Sequence, residues 1–204
     1  MKKALLFDFD GVLVNTAEIW YSVYKESNPN LEYTTFQAMS DGNFIEAVRD
    51  GIQAGTFVLD PDYKNKYHAK LTEEKVQEAL GGIIRKFSNN HKIFIVSSGS
   101  EDVIKDYLRS QELLEHFTQV LGHESHLSKE EKIKHILSAH MVEPHHAVMI
   151  TDTSGDVLEA KPTGVKTIGV LWGLHDEEML RIVNPEKIVK TPSELEMAIE
   201  ELLQ

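Results

Sequence analysis

The 204-residue sequence contains no cysteine, which excludes disulfides, thiolate metal sites and a cysteine nucleophile. It also lacks any long apolar run. Stretches such as Ile93-Phe94-Ile95-Val96 fall far short of the roughly 20 residues that cross a bilayer, so no membrane partner is expected. Positive charge is scarce: 21 Lys and Arg stand against 33 Asp and Glu, for a formal net charge of −12. No Lys/Arg stripe offsets that field locally, and nucleic acid is therefore not expected as a partner. Low-complexity segments and internal repeats are absent too. The start Met1-Lys2-Lys3-Ala4 leads into only a short apolar stretch before an acid, unlike a secretory signal, and a cytoplasmic protein is expected. With 41% hydrophobic and 26% charged residues, the composition is that of a folded globular chain. Its length suits one large domain carrying a modest insertion.

What is present is an alternation of buried-strand and helical patterns. Ala4-Leu5-Leu6-Phe7 is continuously apolar and stops at Asp8, as expected for a strand covered on both faces. Residues 93–96, 147–150 and 166–171 look alike, and shorter strands are predicted at 119–121 and 187–189. Between them, Val103, Ile104, Tyr107 and Leu108, then Ile133, Ile136 and Leu137, repeat at helical spacing. Strand and helix in alternation give an α/β fold with a parallel sheet. Ser128 with Glu131, and Thr191-Pro192 with Glu194, predict capping boxes at two helix starts. The rhythm breaks from Thr16 to Leu80, where helical patterns and turns (Asn28-Pro29-Asn30, Asp41-Gly42-Asn43, Asp60-Pro61) occur without a buried strand. We read 16–80 as a helical insertion into a domain formed by 1–15 and 81–204, with Gly81-Gly82 as its return hinge.

The chemistry gathers at strand ends. Asp8 and Asp10 are two apart, so they share a face, and Gly11 lets the chain turn directly after them. That places both carboxylates in the crevice where open parallel sheets bind ligands. Asp152 and Asp156 follow another strand and lie one helical turn apart. Such pairs of carboxylates repel unless a hard cation joins them, and all-oxygen donors suit Mg²⁺. Ser97-Ser98-Gly99-Ser100, after a third strand, supplies hydroxyls and amides suited to phosphoryl oxygens. Lys129 falls on the first turn of a helix, where the dipole disfavours a cation unless an anion is bound nearby. The histidines at 123, 126, 140, 145 and 146 fit no zinc spacing.

In this order the motifs resemble the haloacid dehalogenase-like hydrolase superfamily. The first is matched by Asp8-Phe9-Asp10-Gly11-Val12-Leu13-Val14-Asn15-Thr16, the second by Ile93 to Ser97, the third by Lys129 and the fourth by Asp152 to Asp156. Thr167 to Gly173 is similar to the phosphoglycolate phosphatase branch, and the likeness spans the whole core. It implies a Rossmann-like three-layer core with a small helical cap inserted after the first strand. It further implies Asp8 as nucleophile and Asp10 as general acid and base. Mg²⁺ would be held by Asp8, the main-chain carbonyl of Asp10, Asp152 and Asp156. Phe9, Ser97, Ser98 and Lys129 would bind phosphate. Lys132 stands as an alternative to Lys129, because Glu130-Glu131-Lys132 replaces the usual proline after the motif lysine. Asn43 and Arg49 are candidate substrate contacts in the cap, and Trp20, Tyr21 and Tyr24 read most simply as the packing face of its first helix, with an aromatic wall near the substrate as the alternative.

The resemblance thus implies a Mg²⁺-dependent phosphatase acting on a small phosphorylated metabolite, of phosphoglycolate or sugar phosphate type, through an aspartyl phosphate. A phosphohexomutase of the same branch and a non-catalytic phosphate-binding or regulatory protein are the alternatives. A receiver-like signalling domain, with adjacent acids and no helical insertion, fits the Asp8-x-Asp10 spacing and the length less well.

Overall fold

The computed structural model describes residues 3–204, so the start at Met1 and Lys2 lies outside the described residues. The strand pattern read from the sequence is realised as β1 (Ala4–Phe7), β2 (Lys92–Val96), β3 (Gln119–Leu121), β4 (Ala147–Thr151), β5 (Lys166–Val170) and β6 (Lys187–Val189). All pair in parallel, in the order β3-β2-β1-β4-β5-β6. Because side chains alternate along a strand, Leu5 and Phe7 of β1 join one core cluster with Ile93, Ile95, Val148 and Ile150. Ala4 and Leu6 join a second with Phe94, Val96 and Met149. Helices α5 (Glu78–Ser88), α6 (Glu101–Ser110) and α10 (Pro192–Leu202) cover the first face, and α7 (Lys129–His140) and α8 (Ser154–Ala160) cover the second. This is the three-layer arrangement of a sheet buried on both sides. From β1 the chain steps outward to β2 and β3, then crosses back to β4 on the other side of β1, so the order reverses beside β1, at the switch point whose carboxyl end is the ligand crevice.

Helices α1 (Ala17–Ser27), α2 (Tyr33–Ala38), α3 (Phe44–Gln53) and α4 (Tyr63–Leu71) precede α5. They gather their own small core from Tyr24, Leu31, Phe36, Val48 and Phe57. Gly81-Gly82 is not the hinge predicted from sequence. Both glycines lie inside α5, whose Leu80, Ile83, Ile84 and Phe87 are buried on the sheet. That apolar stripe outweighs the roughly 1 kcal/mol that each glycine costs a helix. The Ser128–Glu131 capping box forms as expected. The second box is half formed: Thr191 Oγ1 accepts from Glu194 N, but the Glu194 carboxylate reaches Lys190 N instead of the cap residue. Helix α9 (Glu177–Val183) completes the fold. Among the described residues no helix is long and apolar enough to cross a membrane.

The insertion is seated on the core through α8. Gly155 N donates to Ser40 O at 3.1 Å, and a Cβ on Gly155 would fall 2.0 Å from Gly42 O and 2.7 Å from Ser40 O. Only glycine permits that backbone approach. Gly155→Ala is expected to lift the insertion from the core. It should cost about 1–3 kcal/mol by overpacking and on the order of 10²-fold in turnover through misplacement. Thermal unfolding and steady-state kinetics check this; wild-type values for both would refute the seating role.

Candidate active site

Register brings the motif residues together. Phe7 pairs with Ile95 of β2 and Ile150 of β4, so Asp8, Ser97 and Asp152 emerge side by side one or two residues beyond the paired ends. Asp8 is 5% exposed and Asp152 2% exposed. Asp8 Oδ1 accepts from Phe9 N at 2.7 Å, and its Oδ2 accepts from Lys129 Nζ at 2.8 Å. The same ammonium donates to Asp156 Oδ2 at 2.6 Å, and that oxygen also accepts from Thr151 Oγ1 at 2.6 Å. Lys129 therefore sits between two of the carboxylates. Lys132 is buried nearby but donates to Ser97 O at 2.7 Å, so its ammonium supports the end of β2 and makes no bond to a carboxylate.

Asp10 is held differently. Its Oδ1 accepts three hydrogen bonds, from Thr16 Oγ1 at 2.7 Å, Trp20 Nε1 at 2.8 Å and Tyr67 Oη at 2.6 Å. Two of those donors come from helices of the insertion, α1 and α4. With Oδ1 saturated as an acceptor, a proton on this carboxyl is confined to Oδ2. Oδ2 faces the Ser97–Gly99 turn, where a Cβ on Gly99 would lie 3.4 Å from it. Ser97 is fully buried, and its Oγ accepts from Gly99 N at 2.9 Å, leaving the hydroxyl hydrogen free to donate.

Asp152 explains two glycines. A Cβ would fall 1.9 Å from its Oδ2 at Gly11, whose φ is +71°, and 2.3 Å from the same atom at Gly173. Both loops wrap this carboxylate closely. Oδ2 accepts from Leu174 N at 2.7 Å, while Oδ1 is buried and has no hydrogen-bond partner among the described residues. An orphaned carboxylate oxygen is costly. Burial pushes Asp152 up to about 7, Leu174 N opposing, and pushes Asp8 well above the carboxylate range against the pull of Lys129. Burial alone would raise Asp156 as well, but the charge of Lys129 and the hydrogen bonds it receives hold it below the usual value. An orphaned, buried carboxylate oxygen together with the carboxylates of Asp8 and Asp156 makes an all-oxygen donor set, so these residues fit Mg²⁺. Among the described residues no set of three or more His, Asp or Glu side chains is arranged as a ready cage. One predicted donor, the Asp10 carbonyl, belongs to the main chain, and Lys129 lies between Asp8 and Asp156.

The remaining predicted residues separate. Ser98 lines the cavity above Asp8. Asn43 does too, but its side chain caps α3 by accepting from Glu46 N and donates to Glu159 Oε1. Glu159 Oε2 in turn accepts from Lys129 N at 2.6 Å, so Asn43 ties the insertion to the start of α7. Arg49 lies at the cavity rim, with Glu46 at 3.8 Å and Asp50 at 3.5 Å. Sequence reasoning missed Tyr67 and His175, and it weighed Trp20 as a packing residue or part of an aromatic wall without finding its bond to Asp10. His175 is 1% exposed; its Nδ1 accepts from Ser154 N at 3.0 Å, and its Nε2 lies 3.2 Å from Gln37 O in α2. The one available signal was the Tyr63/Tyr67 pair on α4, whose i,i+4 spacing aims two aromatic rings the same way.

Comparison with known proteins gives the family. The chain is 24% identical over 216 residues to a phosphoglycolate phosphatase of Synechococcus elongatus, covering 99% of each chain. It is 25% identical to the pyrophosphatase PpaX of Bacillus pumilus, covering 94% of this chain and 93% of that one. A hydrolase structure from Pseudomonas syringae superimposes with a TM-score of 0.83 over the whole of both chains at 15% identity, which speaks for the fold alone. Residues 5–170 match the haloacid dehalogenase-like hydrolase family model, and the chain belongs to that family, as an α/β hydrolase with a helical cap region between β1 and β2.

Proposed function

We propose that the protein is a Mg²⁺-dependent phosphatase that hydrolyses a small-molecule phosphomonoester through an aspartyl phosphate on Asp8. Residues 1–15 and 81–204 would form its catalytic core and 16–80 its cap. The observation that carries this reading is the division of labour between the two β1 acids. Asp8 is hydrogen-bonded to Lys129 at the crevice floor, while three donors hold Asp10 Oδ1 so that its Oδ2 faces the same space.

The Asp8 carboxylate attacks phosphorus, the P–O bond to the alcohol breaks, and Asp10 gives its proton to the departing alkoxide. Asp10, now ionised, takes a proton from water whose oxygen attacks the phosphorus of the acyl phosphate. That step releases inorganic phosphate and restores Asp8. Lys129 and the Ser97 hydroxyl hold the phosphoryl oxygens, with amides near Phe9 and Ser98, and the seated cap keeps bulk water out. Asp8, Asp152, Asp156 and the Asp10 carbonyl would hold Mg²⁺, which neutralises the charge that otherwise keeps an anionic carboxylate from an anionic phosphate.

The test is phosphate release from a panel of phosphomonoesters with Mg²⁺ and with EDTA, together with acid quenching of turnover and peptide mapping. Metal-dependent release and a phosphorylated peptide containing Asp8 are expected. Release that is indifferent to EDTA, or a phosphoryl group trapped elsewhere, would sink the mechanism. Exchange of phosphate between hexose positions without net release would turn the reading to the phosphohexomutase.

A further inference from the structure

The cavity above Asp8 is far larger than a phosphoryl group requires. Its volume is about 490 Å³, within the range of pockets that enclose whole organic ligands. It runs from the floor formed by Asp8, Ser97 and Lys129 into the interior of the cap, where Trp20, Tyr24, Phe36, Phe44, Val48 and Ile52 line it. Trp20 stacks on Tyr67 at 3.9 Å and on Tyr24 at 5.3 Å between ring centroids, so the wall beside Asp10 is a continuous aromatic surface. Two of its polar atoms are already engaged: Trp20 Nε1 and Tyr67 Oη both donate to Asp10. The cap's cations reach the cavity only as Arg49, which has Glu46 and Asp50 beside it, and Lys64.

A glycolate carboxylate entering this chamber would be desolvated against aromatic rings. A hexose would set hydroxyls against those rings wherever it met the aromatic wall, and both are costly. An apolar or aromatic group loses nothing there and gains burial and ring contacts.

We infer that the substrate class is a phosphomonoester whose alcohol is an apolar or aromatic group long enough to leave the phosphoryl floor and fill the cap chamber. This rests on the phosphatase reading above and narrows the substrate expected from the family resemblance. Specificity would then lie in the cap's aromatic wall, which also holds the general acid, so a well-fitting organic group would pack against the residues that orient Asp10.

The experiment is steady-state kinetics on n-alkyl phosphates from ethyl to hexyl, whose alkoxides leave with near-equal basicity. Phosphoglycolate, glucose 6-phosphate and pyrophosphate are run alongside. Calorimetric binding of the matching alkylphosphonates to the same protein with Mg²⁺ accompanies the kinetics. Each added methylene is expected to raise kcat/KM about fourfold, equivalent to about 0.8 kcal/mol, and the series to span on the order of 10²-fold, with phosphonate affinity following. A flat series, or glucose 6-phosphate, phosphoglycolate or pyrophosphate turned over better than hexyl phosphate, overturns the inference and leaves the phosphatase standing. Phosphonate affinity that climbs with chain length while no ester is hydrolysed supports the chamber's selectivity and overturns the phosphatase. Ile52→Asp, at a wall position 44% exposed and so able to carry a charge, is expected to lower the hexyl-to-ethyl ratio at least threefold. An unchanged ratio would place the chain elsewhere and overturn the assignment.

Discussion

Asp8→Asn is expected to slow phosphate release by on the order of 10⁴-fold or more, and yet to melt at a higher temperature than wild type in EDTA. The first effect follows from the proposed chemistry, since an amide cannot form the acyl phosphate. The second follows from burial. Asp8, Asp152 and Asp156 crowd around one ammonium, and burial pushes Asp8 well above the carboxylate range and Asp152 up to about 7. A group whose folded value is raised adds stability that is complete below its unfolded value and lost as pH rises through the folded one. Without metal, the protein should therefore lose stability as pH rises from about 4 to about 7 through Asp152, with Asp8 adding loss in the same direction. Asp156, held low, acts in the opposite sense, but only below the ordinary carboxylate range. An amide at position 8 keeps the shape, removes one buried charge, and should flatten the pH dependence. Mg²⁺ should reverse the wild-type trend by stabilising the ionised acids. Thermal unfolding at several pH values with EDTA and with Mg²⁺ reads all of this. A variant that melts lower than wild type in EDTA, or keeps its full pH slope, would show that Asp8 is a stabilising ion-pair partner instead. The trade of stability for activity is what a site built for a cation and a dianion demands.

The strands and the core acids were legible in the sequence because they obey local rules. A four-residue apolar run that stops at an acid has few readings other than a strand buried on both faces. Lys129 was legible because a cation on a helix's first turn violates the dipole preference. The return to the sheet was misplaced because two adjacent glycines look like a break, whereas α5 is held by a stripe of Leu80, Ile83, Ile84 and Phe87 that only the sheet makes decisive. The partners of Asp10 were hidden for another reason. Tyr67 lies 57 positions away, and nothing local distinguishes a tyrosine that packs from one that donates to a carboxylate across the crevice. Asn43 illustrates the converse. Its turn looked like a substrate contact, and its amide is occupied by capping α3 and bridging to Glu159.

Lys129→Met and Lys132→Met are expected to part widely, although both lysines are buried in the same helix. Burial alone would lower the pKa of Lys129, but the carboxylates of Asp156 and Asp8 more than reverse that and hold it above the ordinary lysine value. Removing this ammonium leaves three buried acids without the cation that is hydrogen-bonded to two of them. Breaking a buried pair in this way costs about 3–5 kcal/mol, and loss of a charge that holds the phosphoryl oxygens costs about 10²–10³-fold in turnover. Mg²⁺ should restore part of the stability, because it neutralises the same acids, and little of the turnover, because it cannot donate the hydrogen bonds that Lys129 would give to the phosphoryl oxygens. Lys132 is in the opposite electrostatic position. Burial and then the charge of Lys129 pull it down to about 8, and its one hydrogen bond goes to the Ser97 carbonyl. Methionine keeps the packed stem and removes the strained charge, so turnover should change by less than tenfold while stability near neutral pH holds. The measurement is kcat/KM and melting temperature for both variants with Mg²⁺ and with EDTA. If Lys132→Met proves the more damaging to turnover, the phosphate lysine is Lys132, and the contact between Lys129 and Asp8 serves the fold alone.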